Sequence, residues 1–93
     1  MLFRPEAEGE LLEAREWYET RRPGLGREFA VAVDEIVNRI VEKPLLYQLA
    51  YKETRRAVLS RFPYAVYYRL VADDIVVLAV HGRQHQSRWR SRS

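Results

Sequence analysis

Residues able to do chemistry crowd into the last forty positions of the chain. Arg55, Arg56, Arg61, Arg69, Arg83, Arg88, Arg90 and Arg92 stand there with His81 and His85, against only two acids, Asp73 and Asp74. Eight arginines less two aspartates leave this half at +6, while the whole chain carries +3, so the first 53 residues are net acidic. Guanidinium groups beside Tyr64, Tyr67, Tyr68 and Trp89 suit a polyanion or an acidic peptide. Steep salt dependence would accompany a polyanion. His81 and His85 are four apart, a spacing that aligns metal ligands on a helix, yet they follow an apolar, strand-like run and lack a third ligand. No metal and no cofactor is therefore expected.

Strands must hold these groups. The run Tyr64-Ala65-Val66-Tyr67-Tyr68-Arg69-Leu70-Val71 and the run Ile75-Val76-Val77-Leu78-Ala79-Val80-His81 read as two strands joined by a tight turn at Asp73-Asp74. A third strand is expected at residues 55–60, and residues 1–4 supply a short edge strand. Because side chains alternate along a strand, Tyr64, Val66, Tyr68 and Leu70 share the core face. Ala65, Tyr67, Arg69 and Val71 share the other, which also collects Arg56. Alternation leaves the face of Arg55 open.

Upstream, Ala7, Leu11, Ala14 and Tyr18 recur at four, three and four residues and predict an amphipathic helix over residues 6–20 with an acidic first turn. Arg22-Pro23-Gly24 breaks it. Leu25, Phe29, Val33, Ile36 and Ile40, widened by Ala32, Val37 and Val41, form the stripe of a second helix that Lys43-Pro44 ends. Residues 45–53 read as an irregular connector carrying Tyr47 and Tyr51. The resulting architecture is α+β, in the order β-α-α-β-β-β: an antiparallel sheet of three to four strands, a two-helix hairpin on one face, and the other face free for function.

Ninety-three residues, 47% of them hydrophobic, make a single domain over residues 1–93. A domain of this size buries roughly 60–65% of its unfolded surface, so a partner matters thermodynamically. There is no cysteine, which excludes disulfides and thiolate metal sites. Met1 to Glu6 lacks the apolar core of a signal peptide, and no apolar run is long enough to span a membrane, so a cytoplasmic protein is expected.

One family places such residues in this order. Pro5-Glu6-Ala7 opens a Glu/Leu-rich helix that reaches Trp17-Tyr18-Glu19. Pro23-Gly24-Leu25-Gly26, Phe29, Pro44 and Phe62-Pro63-Tyr64 with Tyr68-Arg69 follow, and Val80-His81, Arg83, Trp89 and Arg90 close the chain. This pattern resembles the toxins of the RelE/ParE superfamily of bacterial type II toxin–antitoxin systems, the plasmid stabilisation proteins, and covers nearly the whole chain.

The resemblance implies a growth-inhibiting toxin held inactive in a hetero-oligomer by a cognate antitoxin, a small protein with an acidic amphipathic segment. DNA gyrase, or mRNA on the ribosome, would be the target. Antitoxin or target contacts would fall on Arg56, Arg61, Tyr67, Arg69, Arg83, Arg88, Trp89 and Arg90. In a ribosome-dependent endoribonuclease, a metal-free enzyme, Arg56, His81, Arg83 and His85 would activate the 2′-hydroxyl, stabilise the phosphorane and protonate the leaving oxygen. RelE-like nucleases carry further charges where this chain has Val58 and Ala65, and a terminal tyrosine where it has Trp89. The implied toxin is thus nearer ParE.

Plainer readings stand beside these. Tyr64 and Tyr68 serve as core aromatics, Trp17 and Trp89 as hydrophobic anchors, the helix glutamates as a solvated face, and Arg88, Arg90 and Arg92 as a soluble tail. A non-toxic basic nucleic-acid-binding module is the third functional alternative.

Overall fold

A computed structural model of the chain describes residues 1–82. Arg83, His85, Arg88, Trp89, Arg90 and Arg92 lie outside the described residues. The elements run β1 (Leu2–Phe3), α1 (Pro5–Arg21), α2 (Leu25–Glu42), β2 (Leu49–Tyr51), β3 (Thr54–Val58), β4 (Tyr64–Val71) and β5 (Asp74–Gly82).

Helix α1 opens on Pro5, whose missing N–H costs nothing at a first helical position, and Glu6 and Glu8 face the positive end of its dipole. The hairpin into α2 depends on two glycines. Gly24 takes φ +87°, a left-handed backbone, and lets the chain reverse. Gly26 lies so close to α1 that a Cβ there would sit 2.6 Å from the Arg15 carbonyl oxygen. The Glu19 carboxylate accepts the N–H groups of Gly24 and Gly26, each at 3.0 Å, and so satisfies the start of α2 from the end of α1. These two hydrogen bonds hold its pKa below the ordinary value.

The sheet has five strands in the order β1-β5-β4-β3-β2, one or two more than the sequence predicts. The difference lies in the connector: residues 49–51 form β2, which turns back through Lys52 (φ +51°) and Glu53 to pair antiparallel with β3. Nor is the sheet wholly antiparallel, since β1 pairs parallel with β5. The β4–β5 turn is centred on Ala72 (φ +56°) and Asp73, one residue earlier than expected, because Asp74 already pairs with Val71.

The helical hairpin covers one sheet face. Tyr18 from α1, Phe29 from α2 and Phe62 and Tyr64 from the β3–β4 corner meet there as an aromatic cluster with centroids 4.9–6.0 Å apart. Val33, Ile36, Ile40, Ala57, Val66, Tyr68, Val77 and Val80 complete the core. Val41, expected in the stripe, is instead exposed. Arg55 turns to this inner face, opposite Tyr68, and its Nη1 donates to the carbonyl of Tyr47 at 2.6 Å. The Tyr68 hydroxyl donates to the carbonyl of Pro44 at 2.7 Å, so both residues anchor the connector.

The second face is less free than the sequence suggests. Ala65, Tyr67 and Ala79 are buried in a smaller cluster, with Ala50 and Tyr51 of the unexpected strand packed against it. A β-bulge makes this arrangement: Tyr67 pairs with Ala79 but Tyr68 with Val77, so Leu78 is the extra residue of β5. Parity therefore inverts along β5. Ile75 and Val77 lie on the inner face, whereas Ala79 and His81 align with Tyr67 and Ala65 on the outer one. Among the described residues no helix is long and apolar enough to cross a membrane.

Candidate partner-binding site

Two clefts flank the β3–β4 corner. The first opens on the outer sheet face and is lined by Arg56, Val58, Arg61, Tyr67, His81 and neighbouring residues. Arg56 and Val58 stand exposed on β3, facing Tyr67 and Ala65 of β4. Arg61 sits in the corner at φ +70°, an uncommon backbone for a non-glycine residue. Its guanidinium lies 5.8 Å from the Phe62 ring centroid and 3.8 Å from Glu28, which Arg22 engages more closely at 3.1 Å. Cationic groups around an exposed valine make this cleft suited to an acidic, partly apolar segment.

The second cleft lies between the flank of α1 and the ends of β4 and β5. Glu10, Glu13, Glu16, Trp17, Tyr18, Pro63, Tyr64 and His81 are among its lining residues, and among the described residues no lysine or arginine lines it. Burial, and then the charge of Glu13, push the Tyr64 hydroxyl above its ordinary pKa, and burial raises Tyr18 likewise. Trp17 is half exposed, with the Arg21 guanidinium 4.3 Å from its ring centroid.

Between the clefts stands His81, 2% exposed. Beyond Val77, where two-residue β1 ends, the edge of β5 is met by Glu10: one carboxylate oxygen accepts the Val80 N–H at 3.1 Å and the other engages His81 Nε2. This pairing joins residues 70 and 71 positions apart. An acid one helical turn from Ala7 and Ala14 carries no sequence signal of such a role, and Glu10 escaped the sequence reading.

Of the residues expected at the site, the fold brings Arg56, Arg61, Tyr67 and His81 to one cleft. Tyr67 is buried rather than presented, with its ring 6.2 Å from that of His81. Arg69 is half-buried on the same face but lies farther along β4, opposite Val76. No cluster of three or more metal-ligating side chains exists among the described residues.

Comparisons with known proteins agree with this architecture. Among curated proteins no sequence relative matches the chain. A solved structure of a chromosomal ParDE toxin–antitoxin system from P. aeruginosa superposes with a TM-score of 0.63 at 16% identity, covering 86% of this chain and 90% of that one, a likeness of fold. The family model for the ParE toxin of the type II toxin–antitoxin system, parDE, matches residues 1–87. Nearly the whole chain, both clefts included, falls within that match, and the chain belongs to the ParE family of type II toxins.

Proposed function

We propose that this toxin arrests growth by binding an essential cytoplasmic machine, DNA gyrase, rather than by cleaving RNA, and that its antitoxin lays an acidic amphipathic segment along the cleft bearing Arg56 and Arg61, with Arg69 farther along the sheet. The observation that carries the reading is the state of His81. It is sealed from solvent and engaged by Glu10, so among the described residues the cationic cleft presents guanidinium groups and an apolar floor but no exposed histidine. A general base must come within about 3 Å of the proton it removes. Guanidinium groups alone hold anions, since they stay protonated at any physiological pH.

The hetero-oligomer follows from the same chemistry: a cationic cleft with an exposed valine favours a partner whose acids and apolar groups alternate. The test is expression from a tightly repressed promoter without the antitoxin, with pulse labelling of DNA, RNA and protein synthesis. Early loss of DNA synthesis is expected. Early loss of protein synthesis with mRNA cleavage would overturn the reading in favour of the ribosome-dependent nuclease, and unimpaired growth would leave the basic nucleic-acid-binding module or a decayed, inactive toxin.

A further inference from the structure

Residues 59–63 join β3 to β4 and are held at both ends. The Leu59 N–H donates to the Tyr64 carbonyl at 2.9 Å, and the Tyr64 N–H to the Phe62 carbonyl at 2.8 Å. Leu59 and Phe62 are buried, and the Phe62 ring packs on those of Tyr18 and Phe29. Pro63 fixes its own φ through its ring. Between these anchors Arg61 takes φ +70°. In that region the Cβ of any residue but glycine crowds the following carbonyl oxygen, and asparagine is among the side chains that tolerate it best.

Within the chain the Arg61 side chain does little to offset this strain. It is 64% exposed and 3.8 Å from Glu28, a surface pair of the kind that adds little stability. Glu28 already has a nearer partner in Arg22, at 3.1 Å. The Phe62 ring centroid, 5.8 Å from the guanidinium, lies near the outer limit of a cation–π contact. What the strained backbone does achieve is placement: Arg61 stands at the cationic cleft with Arg56 and the exposed Val58.

We propose that Arg61 is a contact prepared for the antitoxin. The corner holds its guanidinium in a strained but preset position, and a carboxylate of the antitoxin's acidic segment takes it over from Glu28. The toxin alone is less stable for holding it there. This rests on the reading that the antitoxin lies along the cationic cleft, and it names the arginine that the fold presets for the contact. The exchange strands no charge, because Glu28 keeps Arg22. Little backbone freedom is lost on binding, because folding has already fixed the corner. A carboxylate suits the site, since the planar guanidinium fork engages both of its oxygens.

The experiment measures two quantities on the full toxin made by cell-free synthesis: its melting temperature alone, and its affinity for the cognate antitoxin by titration calorimetry. Arg61→Ala keeps the strain and loses the guanidinium, whereas Arg61→Asn loses both. Arg61→Ala is expected to melt near the wild-type temperature and Arg61→Asn a few degrees above it. Both should bind antitoxin about tenfold or more weakly, as expected when a charge-assisted hydrogen bond is lost. Stability and binding thus move in opposite directions in Arg61→Asn, which a merely structural arginine would not produce. An Arg61→Asn chain that melts at or below the wild-type temperature overturns the proposal. So does undiminished affinity in both Arg61 variants, and Arg56→Ala then tells the two failures apart. Weakened binding in Arg56→Ala alone would leave the antitoxin on the cleft and remove only the role of Arg61, whereas undiminished binding in all three variants would remove the cleft as the antitoxin site as well.

Discussion

Tyr68 serves the core with its ring and the connector with its hydroxyl. The residue is fully buried, and the hydroxyl donates to the Pro44 carbonyl while Arg55 beside it holds the carbonyl of Tyr47. Tyr68→Phe keeps the ring and strands that carbonyl, so a loss of about 0.5–1.5 kcal/mol is expected from urea unfolding at unchanged m-value. Titration gives a second readout of the same contacts. Burial raises the hydroxyls of Tyr68, Tyr64 and Tyr18 above their ordinary 10.0. The folded chain therefore keeps those protons at pH values where the unfolded chain has released them. Their stabilisation is complete below pH 10.0 and is lost as pH rises toward the folded values. Thermal unfolding followed into the alkaline range should show this decline, and Tyr68→Phe should make it shallower. A flat profile in the wild-type chain would contradict the buried placement of these rings.

The helical hairpin stands or falls on a close approach that side chains larger than hydrogen prevent. Gly26→Ala places a methyl group 2.6 Å from the Arg15 carbonyl oxygen and presses on Glu19, and is expected to cost about 1–3 kcal/mol by overpacking. Glu19 adds an acid limit: its carboxylate, held below the ordinary 4.5 by the Gly24 and Gly26 N–H groups, stabilises the hairpin above that value and ceases to as pH falls through the folded one. Glu19→Gln should flatten the acid side of the stability profile, and an unchanged profile would remove the bracket from the account. Both helices were legible in the sequence because their stripes repeat at helical spacing and Pro23-Gly24 separates them. Strand β2 was not, since three residues give no alternation to read and its turn uses Lys52 and Glu53 where glycine or asparagine would have signalled a hairpin. The bulge at Leu78 was equally silent: every residue from Ile75 to Val80 is apolar, so nothing in the run marks a change of parity. Alternation did place Arg56 and Tyr67 on one face. It could not foresee that Ala50 and Tyr51 would pack against that face, or that Glu10 would reach His81.

Across the whole molecule, charge is segregated as the sequence implies, with carboxylates along α1 and guanidinium groups on the β3–β4 corner. For a domain of 93 residues this segregation bears on stability as well as on recognition, because so small a core leaves only a few kcal/mol of net stability and anything that binds the folded state adds to it. Antitoxin present at a hundred times its dissociation constant adds about 2.7 kcal/mol, which for a domain of this size raises the melting temperature by roughly 10–20 °C. Arg56→Ala with Arg61→Ala touches exposed side chains and should leave the melting temperature of the toxin alone nearly unchanged, since exposed substitutions of this kind shift stability by about 0.5 kcal/mol or less. The same pair should shrink the antitoxin-induced rise and weaken its dependence on salt, because fewer counter-charges meet at the interface. Calorimetric melting of toxin with and without antitoxin, at two salt concentrations, separates these effects. An undiminished rise in the double variant would move the antitoxin off the cationic cleft. A lowered melting temperature in the toxin alone would instead make Arg61 and its contact with Glu28 part of what holds the β3–β4 corner to α2.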